Sequence, residues 1–191
     1  MIAALAQIVA LAFASGLNVY ATVAVLGLTE HYHLVALPEQ FRAFDHPLVI
    51  GLALAMYLVE FVADKIPWFD SVWDAVHTVV RPIGGALIAV NTIGAATPAS
   101  TALAALLGGT VAMTTHVTKA STRAAVNVSP EPFSNWLLSL SEDVVAIGIS
   151  YLALQHPLLA SAAAVVLLVA IISSAWLIVR VVRRRVARRQ T

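Results

Sequence analysis

No cysteine occurs among the 191 residues. Disulfide frameworks, thiolate nucleophiles and thiolate metal sites are thereby excluded. Charge is nearly as scarce: 11% of residues are Asp, Glu, Lys or Arg and 60% are hydrophobic, whereas a soluble domain carries about 25% charged residues. Ile2 to Leu28 holds no charge at all, and an uncharged run beyond about 18 residues can cross a hydrocarbon layer of roughly 30 Å. Also missing are a glycine-rich phosphate loop, an HExxH pair and a Ser–His arrangement suited to nucleophilic catalysis. These absences predict an integral membrane protein that is not an enzyme and needs no cofactor or metal.

Apolar runs between punctuating residues predict an all-α, polytopic transmembrane helical bundle of about six spans. The runs are 2–28, 47–66, 72–96, 99–122, 133–154 and 158–182. Pro47, Pro98 and Pro157 each stand at the start of a run, where a missing N–H costs a helix nothing. The third span is irregular: Trp73 to Val80 reads as amphipathic, and Pro82 is expected to kink or break the helix. Residues 69–81 are therefore open to a surface or a spanning reading. Ala12-Phe-Ala14 resembles a signal-cleavage box, but no basic residue precedes it and the apolar run continues, so a retained first helix is expected. Short echoes suggest internal repeats: His46-Pro-Leu48 with His156-Pro-Leu158, and Val80 to Gly84 with Val144 to Gly148.

Six of the eleven basic residues are arginines between Arg180 and Arg189. A tail of this kind holds a helix end in the cytoplasm and touches anionic lipid, whereas nucleic-acid binding wants basic residues spread over a folded face. Residues 1–182 are read as one transmembrane domain and 183–191 as a basic cytoplasmic tail. With an even number of spans, Lys65, Lys119, Arg123 and the tail share one side and Arg42 takes the other, which places both termini in the cytoplasm.

Residues three or four apart share a helix face. Glu60 pairs in this way with Asp64; Asp70, Asp74, His77 and Arg81 form a second stripe, continued by Asn91 if the helix runs through Pro82. His116, Lys119 and Arg123 make a third, and Asn135, Ser139 and Glu142 or Asp143 a fourth; the first span contributes Asn18. Even low figures put a charge at mid-membrane at about 2.5–3.5 kcal/mol, so these stripes are expected to face one another or water. The pair His31 and His33 is read as part of a solvated loop, and Gly84-Gly85 with Gly108-Gly109 as sites of close helix crossing.

At Glu60-Phe-Val-Ala-Asp-Lys-Ile-Pro, Asp70, Trp73-Asp74, His77 and Arg81-Pro82, at Ser15-Gly-Leu-Asn18, and at Lys119-Ala-Ser-Thr-Arg123 followed by Asn127, the chain resembles a bacterial membrane family known as domain of unknown function 4126. The likeness covers the chain to about Leu154. It implies a small multi-span protein of the bacterial inner membrane and carries no catalytic role to any residue.

The expected function is a small transporter or channel-like protein for a cation or small solute, with a polar cavity open to the cytoplasm. Glu60, Asp64, Asp74, His77 and Arg81 are the expected pathway residues, and Asn18, Lys65, Asp70, Asn91, His116, Lys119, Arg123, Glu142 and Asp143 their supporting or gating partners. Asp64 or Asp74 is expected to have a raised pKa from desolvation. Membrane lipids and further copies of the chain are the expected partners. The competing readings are a non-transporting scaffold or assembly factor, whose charges only fix helix register, and a protein binding a lipid phosphate through Arg81, Lys119 and Arg123.

Overall fold

The computed structural model describes residues 1–127 and 132–187, and among them seven α-helices and one short 3-10 helix, with no strand. The helices are α1 (Ile2–Leu17), α2 (Val19–His31), α3 (Pro47–Ala63), α4 (Pro67–Ile93), α5 (Pro98–Asn127), α6 (Pro132–Gln155) and α7 (Pro157–Ala187), with the 3-10 helix at Glu39–Phe44. Proline opens each of the five helices from α3 onward. Among the described residues, three helical stretches are long and apolar enough to cross a membrane: Trp68–Ile93, Phe133–Gln155 and Pro157–Ser174. Ile2–Leu17 and Pro47–Ala63 are apolar but shorter. The chain is a helical membrane protein.

The expected first span does not exist as one helix. It breaks at Asn18, whose backbone is extended at φ −154° and ψ 101°. The Asn18 side chain caps α2 by accepting from the Ala21 N–H at 2.9 Å, which satisfies a donor that a helix start leaves orphaned. The two halves then fold back on themselves. Gln7 near the start of α1 donates to the Ala153 carbonyl near the end of α6; Asn18 reaches Asp143 in the middle of α6; yet Thr22, farther along α2, meets Ser150 and so has turned back towards the end of α6. Gly27 of α2 lies against Phe44 and Ile50, beside the start of α3. Thus α1 and α2 form a re-entrant hairpin with its tip at Asn18.

The loop of residues 32–46, the α4–α5 turn at Gly94, where Gln40 packs, and the start of α7 lie at one end of the bundle, here the loop face. The α3–α4 turn at residues 64–66 and the far end of α7 lie at the other, the tail face. Met1 therefore sits at the loop face and Ala187 at the tail face. Five helices, α3 to α7, traverse the bundle. The arginine-rich residues from 188 onward lie outside the described residues.

Helix α1 is the centre of the packing and contacts α4, α5, α6 and α7. Its face is alanine-rich, and nearly every residue from Ile8 to Leu17 is buried. Small residues set the approach distances. A Cβ on Gly16 would lie 2.5 Å from the Ala112 carbonyl oxygen, and one on Gly108 would lie 2.5 Å from both the Ala89 Cβ and the Gly85 carbonyl oxygen. Gly85, Gly108 and Gly109 thus join α4 to α5 within the chain, as the packing reading expected, while Gly84 lies against Val19 of α2. Helix α4 runs unbroken from Pro67 to Ile93 through Pro82, which settles the third span as one helix. The sequence echoes fall on α3 with α7 and on α4 with α6, in crossed order, so they do not define two equivalent halves.

Candidate functional site

Between the hairpin tip and the tail face the interior is ionic. Six carboxylates (Glu60, Asp64, Asp70, Asp74, Glu142 and Asp143) and three bases (Arg81, Lys119 and Arg123) are all buried there, none more than 8% exposed. Helical spacing delivers them: each of α3, α4, α5 and α6 turns one polar stripe inward and leaves its apolar residues outward, such as Leu58, Val79, Val117 and Val144. The expected convergence of the stripes is met.

Arg81 is the hub beside the hairpin. It donates to Glu60 Oε1 at 2.7 Å, to the Gly16 carbonyl at 3.0 Å and to His116 Nδ1 at 2.9 Å, and its guanidinium lies 3.9 Å from Asp74 Oδ1. Lys119 donates to the Leu17 carbonyl at 2.9 Å and stands 3.5–3.6 Å from Glu60, Asp64 and Glu142. The two bases therefore satisfy carbonyls left open where α1 ends, at the negative end of its dipole. Arg123 sits closer to the tail face. It holds Asp70 at 2.8 Å, Glu142 at 3.2 Å, Asp64 Oδ2 at 3.3 Å and the Asp64 carbonyl at 2.7 Å. Asn135 also donates to that carbonyl, and Ser139 to Asp64 Oδ2.

Two histidines have defined roles. A guanidinium can only donate, so His116 Nδ1 carries no hydrogen; its proton is on Nε2, directed at the Asp74 carbonyl 3.1 Å away. His77 donates through Nδ1 to the Trp73 carbonyl and accepts at Nε2 from the Tyr20 hydroxyl. It therefore joins α4 to α2 rather than entering the ion network. Tyr20 escaped the sequence reading because a tyrosine on an apolar helix ordinarily marks an interface. Asn91 also lies apart, two to three turns up α4 from Arg81 and half-exposed towards the loop face, because the inward stripe passes to Gly85, Ile88 and Ala89 there.

Lys65 is at the rim. Its ammonium donates to the Phe61 carbonyl and lies 3.2 Å from the centre of the Phe61 ring. Burial pushes its pKa down, only partly opposed by Asp143 and Asp64. Asp64, in the turn after α3, is not the one of the two carboxylates named above that fits the expectation of a raised pKa. Burial alone would raise its pKa, but Lys119, Arg123 and Arg81 outweigh it and hold the carboxyl below its ordinary value.

Glu60 is 0% and Asp64 1% exposed, so neither carboxylate is open to the surface in this conformation. Two crevices lined by described residues border the centre without touching either of them. One, of about 250 Å³, runs between α4 and α5 past Asp70 and Asp74; the other, of about 210 Å³, opens between α5, α6 and α7 and ends on Lys119 and Glu142. Among the described residues no three His, Cys, Asp or Glu side chains converge as a metal site. Several buried acceptor atoms nonetheless lack a hydrogen-bond partner among the described residues: Glu60 Oε2, Asp64 Oδ1, Asn135 Oδ1 and Asp143 Oδ2. Asp143 has no base within ion-pair distance among the described residues and is held only by Asn18 Nδ2 at 3.0 Å.

A family model matches residues 5–177, extending past the point where the resemblance had been expected to fade. The chain belongs to the family described as domain of unknown function (DUF4126). The match spans both the re-entrant hairpin and the ionic centre of this chain. No curated protein and no solved structure matches the chain.

Proposed function

We propose that this protein is a non-enzymatic transporter of the bacterial inner membrane that exchanges protons or small cations at the ionic centre, here in an occluded conformation. The observation that carries the reading is the charge balance. Among the described residues six carboxylates face three bases in a buried interior, a formal excess of three negative charges; with Lys65 at the rim counted as well, the excess is still two. At about 2.5–3.5 kcal/mol for each uncompensated mid-membrane charge, three would cost about 8–10 kcal/mol, comparable with the whole stability of a typical domain. On this reading protons or bound cations offset the excess among these residues, and a group that holds such ions can release them.

The broken helix supports the same reading. An irregular segment at membrane depth is tolerated where it lines a polar site, and the Asn18 break lies directly against Arg81, Lys119 and Asp143. Outward tilting of the α1–α2 hairpin would withdraw the Gly16 and Leu17 carbonyls from the two bases and open the centre to the loop face. Orientation follows from the basic residues. Lys65 and the end of α7 lie at the tail face and Arg42 at the loop face, so the tail face is cytoplasmic and Met1 is on the opposite side. The dense ion pairing also favours the scaffold reading.

Flux separates the two. Protein reconstituted in vesicles with a trapped pH dye should dissipate an imposed proton or alkali-cation gradient, and Asp143→Asn should remove that flux while leaving thermal stability nearly intact. A folded wild-type protein that carries neither protons, Na⁺ nor K⁺ would overturn the proposal in favour of a scaffold.

A further inference from the structure

The crevice between α5, α6 and α7 is a lateral path from the lipid to the ionic centre. Its walls are Leu17 of the hairpin tip, Leu138 of α6, and Leu167 and Ile171 of α7; its inner end is formed by Lys119 and Glu142. It lies at mid-depth, because Leu17 is next to the hairpin tip and residues 167–171 are in the middle of α7. The adjoining α7 residues Val165, Val166 and Val169 are exposed and face lipid.

Charge decides what the crevice accepts. Lys119 offers nothing to an incoming anion: its ammonium is fully buried, bonded to the Leu17 carbonyl and surrounded by three carboxylates. Glu142 is the most exposed of the six carboxylates at 8%. It meets Lys119 and Arg123 through Oε2, and no described residue bonds its Oε1. The centre behind it is net negative. An entering group thus meets apolar walls, then a carboxylate oxygen, then a field that attracts positive charge. The volume of about 210 Å³ equals that of about seven water molecules at ~30 Å³ each, room for a small amine with one ring or a short alkyl chain.

We infer that this crevice is a binding site for a small amphipathic monovalent organic cation, a protonated amine whose apolar part lies along Leu138, Leu167 and Ile171 and whose ammonium pairs with Glu142. The inference rests on the exchange reading above and names a substrate class for it: the organic cation would supply one of the missing positive charges and displace a proton in doing so.

The test uses three soluble probes that share a phenyl ring and differ in charge: 2-phenylethylammonium, 2-phenylethanol and phenylacetate. Equilibrium binding to the purified full-length protein in detergent at pH 7 should favour the ammonium by at least about tenfold over the alcohol, with phenylacetate weakest. Glu142→Gln should remove the preference for the ammonium while leaving weak binding of the alcohol. Val145→Trp, which fills the crevice without touching the ion pairs, should abolish all three; if it fails to fold, Leu138→Phe serves the same end, with the thermal transition as the control. Equal affinity for ammonium and alcohol would show a lipid-chain groove and overturn the inference, as would a preference for phenylacetate. Binding of the ammonium by a protein without proton or cation flux would sink the transport reading and keep the crevice. Flux without ammonium binding would do the reverse.

Discussion

Replacing Arg81 by methionine keeps most of the side-chain volume and deletes the charge, which isolates the electrostatic role of the hub. Arg81 is fully buried and makes three hydrogen bonds, to Glu60, the Gly16 carbonyl and His116. Breaking one partner of a buried ion pair costs about 3–5 kcal/mol, because the other charge stays buried. Each acceptor then left without a donor, the Gly16 carbonyl and His116 Nδ1, costs about 1–3 kcal/mol more. Lys119, 3.5 Å from Glu60, recovers part of this. The loss should still reach roughly 5 kcal/mol out of a typical 5–15 kcal/mol, so the single variant should be barely folded. Adding Glu60→Gln removes the stranded charge, and the double variant should be more stable than Arg81→Met alone. Equilibrium unfolding in mixed micelles, followed by tryptophan fluorescence, gives the cycle. If the two substitutions add within about 0.5 kcal/mol, the pair is not coupled and the argument from buried charge fails.

Asn18→Ala should cost about 1–2 kcal/mol through loss of the α2 cap, and more through the loss of Asp143's donor; faster amide exchange confined to residues 16–22 would show that the hairpin tip has loosened. Gly108→Val should be strongly destabilising because its Cβ would lie 2.5 Å from both the Ala89 Cβ and the Gly85 carbonyl oxygen, and unchanged stability would show that α4 and α5 can separate freely. Asp64 is held below its ordinary value in the folded state, so its contribution is present above the unfolded value of about 3.9 and is lost as the pH falls towards its lower folded value. The thermal midpoint should therefore drop on acidification below about pH 4, and Asp64→Asn should flatten that drop; an identical acid limb in the variant would contradict the assignment.

The ionic centre could be read from the sequence because its residues obey helical spacing. Glu60 with Asp64, Asp70 with Asp74 and Arg81, and His116 with Lys119 and Arg123 each define a face without reference to any other helix, and the cost of charge in hydrocarbon then forces the faces together. Three helix starts were legible for a similar local reason, Pro47, Pro98 and Pro157 at the heads of α3, α5 and α7, whereas Pro67 and Pro132 were not read as starts. The hairpin was not legible. Residues 2–28 are uniformly apolar, and hydropathy does not distinguish a straight crossing from a helix that turns back at mid-depth. The only local sign was an N-capping asparagine shortly after Ser15-Gly16, and Asn18 acts as a cap only because Ala21 and Asp143 are in place to use both ends of its amide. Cavity or closure was likewise beyond reach, because it depends on how far the Arg81 and Lys119 side chains extend towards the carbonyls of α1.

The hairpin also imposes an order on biogenesis. Its tip carbonyls find their donors on α4 and α5, and Lys119 is 102 positions beyond Leu17. At roughly 5–20 residues per second, a ribosome needs about 5–20 s to cover that stretch. Until those helices arrive, the hairpin tip lacks the Arg81 and Lys119 donors that satisfy its carbonyls in the finished bundle.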